Sequence, residues 1–454
     1  MKDFNNITVS VLVFVLCAIT LHAADYRADE VIVKFKSQGP QAASSLSVFE
    51  NRPMVIAVDN AQKAIEELEV SDDVEYVEPN YIIEAEEVPD DWPYSGQWSQ
   101  LGLEEAWDFI DLCDVGPEVV IAVVDSGVDL SHPELQDILI DGYDFAAKDG
   151  RPEDNSGHGT KVCGVLGAAG NNGSGIAGVA WDVDIAIMPV KFMDKNSDGK
   201  TTGSLSDAVD AIYFAVDHGA QIINASWGFY DYSRSLQDAL AYAQSKGVLV
   251  VASAGNKGQN NDLNDHYPSN YPNDNIVAVA AMDSDGTLAS FSNYGTKNVD
   301  ISAPGVGITT TTLNGGLISW ASGTSFATPF VTGVAALVVS QAPEIDYASL
   351  REILILSASQ ASSAGSSAVA SGGCVNAYQA LIMEEGYDTA TKDGGTTDDT
   401  TQSTDASDAG VEGSGGGGGG CLIETAHTSS LPVTLVVLMI SIVLFRIPGR
   451  KDLE

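Results

Sequence analysis

The feature that most constrains this 454-residue chain is a series of short, continuous apolar runs separated by helical stretches. Val119–Val124, Ile185–Val190, Ile222–Asn224, Val248–Ala252 and Ile276–Ala280 carry almost no polar residue. A strand with one face in water alternates apolar and polar residues. A continuous run needs cover on both faces, as a parallel strand between helices has. Ser204–His218 and Ser235–Lys246, lying between runs, have helical spacing. Such alternation specifies an α/β fold with a mostly parallel central sheet, here expected over residues 91–386.

The flanks read differently. Residues 1–24 have a basic start at Lys2, an apolar stretch from Ile7 to Leu21 and a small-residue site at Ala23, the pattern of an export signal. Residues 25–90 suggest a small α+β unit. Strand-like alternation at Glu30–Phe35 and Val74–Pro79 brackets helical spacing at Gln62–Val70, with Ala64, Ile65 and Leu68 on one face. The acidic run Glu84–Asp91 reads as an exposed linker. Residues 387–420, rich in Asp, Thr, Ser and Gly, cannot offset ordering entropy by apolar burial and are expected to be a disordered spacer. Residues 421–454 begin at Cys421, continue through an apolar run at Leu431–Phe445 and end in Arg446, Arg450 and Lys451. That run is short for a full membrane span, although flanking residues can extend it.

The net charge of −42 excludes a nucleic-acid-binding protein, which needs basic surface. It favours solubility and cation binding. Five cysteines, at 17, 113, 163, 374 and 421, show no zinc-ligand spacing. In an exported protein, Cys113 and Cys374 are available for one bridge, which the sequence leaves open.

Chemistry gathers in four segments. Val119–Val124 ends in Asp125-Ser126-Gly127, which sets a carboxylate at the carboxyl edge of the sheet, where α/β proteins place their sites. Asn155-Ser156-Gly157-His158-Gly159-Thr160 brackets a histidine with glycines that let other main chain come close, and a helix is expected to begin at His158. A neutral imidazole can take a proton from a hydroxyl and return it. Ser322-Gly323-Thr324-Ser325 precedes a helix containing Pro329, so Ser325 lies near a helix N-terminus that stabilises negative charge. Val250–Ala254 leads to Gly255-Asn256, whose amide is a neutral donor suited to an oxyanion. Taken singly, Asp125 is equally a turn residue, His158 equally structural and Ser325 equally an N-cap.

These four segments together, in the order Asp, His, Asn, Ser, resemble the subtilisin-like serine proteases over about Gln97–Leu381. The resemblance implies a three-layer subtilisin-like fold and a secreted endopeptidase acting on protein or peptide substrates. It implies Asp125, His158 and Ser325 as the catalytic residues and Asn256 in the oxyanion hole. Ser226, Trp227 and Gly228 match the segment that pairs with extended substrate. Residues 25–90 resemble the family's inhibitory propeptide, here an intramolecular inhibitor removed by cleavage between Ile83 and Gln97. The tail resembles a bacterial C-terminal sorting signal, implying membrane contact and a cell-surface or extracellular location. Cys163, Phe326 and Phe330 depart from the family's usual residues.

A structural calcium ion is implied by Asn171-Asn172-Gly173-Ser174-Gly175-Ile176, which resembles the family's calcium loop. The implied ligands are Gln97, Glu134, Gly170, Asn172, Ser174 and Ile176, with Glu134 where the family more often has Asp. A second loop, Asp194-Lys195-Asn196-Ser197-Asp198-Gly199, starts like a calcium loop with Asp194, Asn196 and Asp198 as ligands, but it lacks the closing acid and reads equally as a solvated turn. The competing functional class is a catalytically silent, subtilisin-like surface-binding protein, from which a triad member would be missing.

Overall fold

A computed structural model describes residues 26–36, 52–85, 101–110, 116–360 and 367–384, with only the main chain at 82–85 and 359–360. All lie in the first of two units of the chain, Met1–Ser403. The expected export signal, spacer and C-terminal segment lie outside the described residues, as do Gln97, Cys17, Cys113 and Cys421.

The N-terminal part comprises β1 (Tyr26–Phe35), β2 (Met54–Ala57), α1 (Ala61–Leu68) and β3 (Val74–Ala85). Next come α2 (Leu103–Ile110), β4 (Val119–Asp125), β5 (Tyr143–Asp144), α3 (His158–Gly167), β6 (Ile185–Lys191), β7 (Met193–Lys195) and β8 (Thr201–Ser204). They are followed by α4 (Leu205–Asp217), β9 (Ile222–Ala225), β10 (Trp227–Gly228), α5 (Arg234–Ser245), β11 (Leu249–Ser253), β12 (Ile276–Met282) and β13 (Ile301–Pro304). The chain continues through β14 (Ile308–Thr312), β15 (Gly316–Ala321), α6 (Thr324–Gln341), α7 (Tyr347–Leu356), β16 (Ser359–Gln360) and β17 (Gly373–Cys374).

The central sheet has nine strands in the order β16-β17-β13-β12-β11-β9-β4-β6-β5. Every pair from β17 to β5 is parallel. Its strands alternate between two cores, which is why the runs are apolar throughout. Val119, Ile121 and Val123 of β4 join the cluster containing α3 and α6, whereas Ala122 and Val124 join the one containing α4 and α5. Leu249 and Val251 of β11 face the first side, Val250 and Ala252 the second. The architecture is therefore the three-layer α/β arrangement that the sequence implies. Helix α6 is the one helix among the described residues long and apolar enough to cross a membrane, and it is 94 % buried in the core.

The N-terminal strands carry their own small core of Val31, Val33, Ala61, Ala64, Val74 and Val77. The other face of β1 turns Ile32 into the core beneath α4 and α5. Polar contacts complete this seam. Lys34 pairs with Asp238 at 2.7 Å, Arg234 with Glu75 at 2.7 Å, and Asn80 Oδ1 accepts from the Ser206 N–H at the start of α4 (2.8 Å). Glu78 accepts from the N–H groups of Arg234 (2.8 Å) and Ser235 (3.0 Å) and from Ser233 Oγ (3.0 Å), so it caps α5 from outside. One sequence expectation needs correction. Glu84 and Ala85 do not open an exposed linker but extend β3, where Glu84 pairs with Thr202 of β8 on one side and Gly228 of β10 on the other. Main-chain pairing on both edges overrides the acidic composition.

Candidate active site

Strand β4 ends on Asp125, and α3 begins on His158, both fully buried. Their side chains meet, with His158 Nδ1 2.7 Å from Asp125 Oδ1. Asp125 Oδ1 also accepts from the Ser126 N–H at 2.7 Å. An acceptor at Nδ1 fixes the tautomer and presents Nε2 as the base. The His158 ring lies 5.6 Å from that of Phe326, the neighbour of Ser325. Ser325 is the second residue of α6, and its Oγ lies 2.9 Å from the Ser226 carbonyl oxygen.

Two supports hold this arrangement: Asp154, which the sequence did not mark as a site residue, and Ser226, which it marked only for pairing with substrate. Asp154 gathers five donors: Oδ1 accepts from Ser126 Oγ, Ser156 N and Gly157 N (each 2.9 Å), and Oδ2 from Thr160 N (3.0 Å) and Thr160 Oγ1 (2.7 Å). It thereby ties the Asp125 turn to the start of the histidine helix. The signal for it was an Asp shortly before a helix start, a common cap pattern that names no particular partner. The second support is Ser226. The Ser325 carbonyl would accept from the N–H four residues on, but that residue is Pro329, which has none. Ser226 Oγ donates to it instead at 2.9 Å, and Asn224 Nδ2 donates to Ser226 Oγ at 2.9 Å.

Asn256 is half-buried beside the same helix start. Its Oδ1 accepts from Thr324 N (2.9 Å) and Thr324 Oγ1 (3.1 Å), which fixes the NH2 as the opposite side of the amide. Trp227 and Gly228 form β10, which pairs antiparallel with Ala85 and Glu84 of β3. Cys163 is fully buried on α3. Burial, then the nearby Asp125 and Asp154 carboxylates, push its thiol well above the usual range, so it stays protonated and inert. Cys374 is a free thiol pushed up to about 12 by burial.

The first calcium loop converges. Glu134, 5 % exposed, is approached by Asn172 Nδ2 at 3.4 Å and Ser174 Oγ at 3.3 Å. Among the described residues, no Lys or Arg makes an ion pair with it. A buried carboxylate met by a hydroxyl and by an amide that here turns its NH2 toward it, all at long contact distances, fits an oxygen-loving cation once that amide presents its oxygen. The second loop does not converge. Asp194 pairs with the Lys191 ammonium at 2.8 Å, while Asn196 Oδ1 accepts from the N–H groups of Asp198 and Lys200 (each 3.0 Å). Burial lowers the Lys191 pKa, but Asp194 and Asp144 outweigh this and raise it, so the Asp194 carboxylate is paired with an ammonium.

Residues 116–407 match the subtilase family model, and the chain belongs to that family. It is a subtilisin-type serine endopeptidase. It is 40 % identical over 334 residues to a thermophilic serine proteinase of Bacillus sp. (strain AK1), covering 70 % of this chain and 79 % of that protein. It is 39 % identical over 237 residues to thermitase of Thermoactinomyces vulgaris, covering 52 % and 79 %. Among solved structures it resembles fervidolysin from Fervidobacterium pennivorans, a keratinolytic enzyme related to subtilisin, with a TM-score of 0.65 and 27 % identity over 80 % of this chain and 62 % of that one.

Proposed function

We propose that this endopeptidase is exported as a zymogen and works through Ser325, His158 and Asp125. The observation that carries the reading is the buried Asp125–His158 hydrogen bond beside the N-terminus of the helix bearing Ser325. In the reaction, the Ser325 hydroxyl hydrogen turns from the Ser226 carbonyl to His158 Nε2 as Oγ attacks the substrate carbonyl carbon. Asp125 keeps Nδ1–H oriented and stabilises the imidazolium. The new oxyanion is met by the Asn256 NH2 and the Ser325 N–H. His158 then protonates the departing amine, and water, activated by the same nitrogen, releases the acyl group.

Residues 25–90 act as the propeptide of domain 91–386. The support is the placement of β3 between β8 and β10, the mode by which an extended peptide is held through main-chain hydrogen bonds. Cleavage falls between Ile83 and Gln97. A calcium ion held by Glu134, Asn172 and Ser174, with carbonyls of Gly170 and Ile176, would brace the loop after α3 without entering the chemistry. Residues 1–24 direct export, 387–420 form a spacer and 421–454 make membrane contact. A fluorophosphonate probe should label the processed enzyme and fail to label Ser325→Ala. A mature N-terminus at Ala24 or Asp25 in active material would contradict the zymogen reading.

A further inference from the structure

The N-terminal segment lies on α4 and α5 through its cations. Arg27 meets Asp207 at 3.9 Å, Lys34 meets Asp238 at 2.7 Å and Arg52 meets Asp217 at 2.6 Å. All three aspartates belong to the two helices, so loss of residues 25–90 strips away the cations and leaves the anions. The Arg52 contact differs in kind from the other two. Its guanidinium carbon stands 4.1 Å from the centre of the Tyr213 ring and 5.4 Å from that of Tyr242. The two rings are 5.1 Å apart and inclined at 48°, so they form two walls of a cage. Asp217 closes it. Its Oδ1 accepts from the Tyr242 hydroxyl at 2.7 Å, and its Oδ2 accepts from the guanidinium. The carboxylate is thus oriented by a bond internal to the catalytic domain. A planar guanidinium stacks on a ring and donates to a carboxylate at once, a pairing that a compact ammonium does not match.

Every part of this cage except the guanidinium belongs to α4 and α5: Tyr213 and Asp217 to the first, Tyr242 to the second. We propose that the processed enzyme keeps the cage as an arginine-binding site remote from the catalytic residues, and that it captures arginine side chains on protein substrates. The inference rests on the reading of residues 25–90 as a segment removed by cleavage, and it adds a substrate class, polypeptides that carry arginine away from the scissile bond. Charge favours this occupant. The chain's net charge of −42 draws cationic polypeptides toward it, and Asp207 and Asp238, vacated by Arg27 and Lys34, extend the same face for further basic residues. The spacing suits one substrate spanning both sites. Helix α4 has 13 residues and is about 20 Å long. The N–H of Ser206 at its start is bonded to Asn80, and β3 runs on from Asn80 to Glu84, opposite Gly228, in about 13 Å. The cage at the far end of α4 therefore lies within roughly 35 Å of the cleft.

The test uses mature enzyme prepared from the full chain and fluorogenic peptides sharing one cleavable core. On the amino side of the core, a Gly/Ser linker carries a terminal arginine, citrulline or lysine. Citrulline keeps the shape of arginine without its charge. Linkers of about 10, 20 and 30 residues reach roughly 17, 25 and 30 Å root-mean-square and can extend further. At the best length, the arginine peptide should have a KM roughly three- to tenfold below that of the citrulline peptide, with kcat unchanged. The lysine peptide should stay close to citrulline. Asp217→Asn and Tyr242→Ala should each abolish the arginine advantage and leave the citrulline kinetics as they are. Equal KM for arginine and citrulline at all three lengths, with Ser325 still labelled by fluorophosphonate, overturns this inference and leaves the protease reading standing. A lysine peptide as good as the arginine one overturns it too, because charge alone then suffices. Active enzyme that retains residues 25–90 overturns the cleavage reading and this inference with it. The wild-type comparison decides the matter even if a variant fails to fold.

Discussion

Replacing Ser226 with alanine should loosen the nucleophile's helix by a calculable amount. The serine hydroxyl bridges two groups: it donates to the Ser325 carbonyl and accepts from Asn224 Nδ2, each at 2.9 Å. Asn224, Ser226 and Ser325 are all fully buried, so water cannot replace the lost bonds. Each orphaned buried group costs roughly 1–3 kcal/mol, and partial relaxation leaves about 2–4 kcal/mol for the pair. For a domain of this size that lowers Tm by roughly 3–6 °C. The main-chain carbonyl at 226 survives the change, so the contact with Ser325 Oγ persists. The turn nevertheless loses its tether, and kcat/KM should fall about tenfold. The structure also supplies a rescue. The Ser325 carbonyl needs Ser226 only because Pro329 lacks an N–H, so Pro329→Ala restores an intrahelical donor. Ser226→Ala/Pro329→Ala should therefore recover about half of the lost stability, Asn224 remaining orphaned, and the double-mutant cycle should be non-additive. Thermal unfolding of the active-site-blocked proteins measures this. A single mutant within about 1 °C of wild type, a shift worth roughly half a kcal/mol here, would refute the reasoning, as would strict additivity of the pair.

Three further outcomes are expected. In Gly159→Ala, the new Cβ would lie 2.1 Å from the Gly127 carbonyl oxygen and 3.2 Å from Asp125 Oδ1. A carbon–oxygen contact needs roughly 3.3 Å, so the start of α3 must shift by about an ångström, and kcat should fall about a hundredfold in steady-state assays. Chelation of calcium should shorten the half-life of the mature enzyme at elevated temperature, and Glu134→Gln should remove most of the difference between chelated and calcium-supplied samples. Burial raises the Glu78 pKa, although hydrogen bonds from Ser235, Arg234 and Ser233 work to lower it. A carboxyl whose pKa rises on docking adds affinity where it is protonated, and that affinity is lost as pH climbs through the raised value. Release of the N-terminal segment should therefore quicken as pH rises above the ordinary carboxylate range, and a Glu78→Gln chain, followed by gel after a pH jump, should show a flatter dependence.

The parts of this molecule that were legible in advance are those where one local pattern has one structural meaning. The runs at β4, β6, β9, β11 and β12 read correctly because burial on both faces permits no polar alternation. Asp125, His158 and Ser325 fell at a strand end and two helix starts, positions that Gly127, Gly159 and Gly323 mark in the sequence. What escaped depended on partners remote along the chain. Glu84 and Ala85 read as linker because they open an acidic run, and only β8 and β10, more than a hundred residues on, pair their main chain as the end of β3. Asp194 matched a metal-loop pattern, yet Lys191 on the preceding strand takes its carboxylate. The role of Ser226 follows from a proline in a distant helix. Each of these is a question of which donor reaches which acceptor across the fold. Local spacing carries no information about that, whereas the backbone vacancies left by proline and glycine, once placed in three dimensions, do.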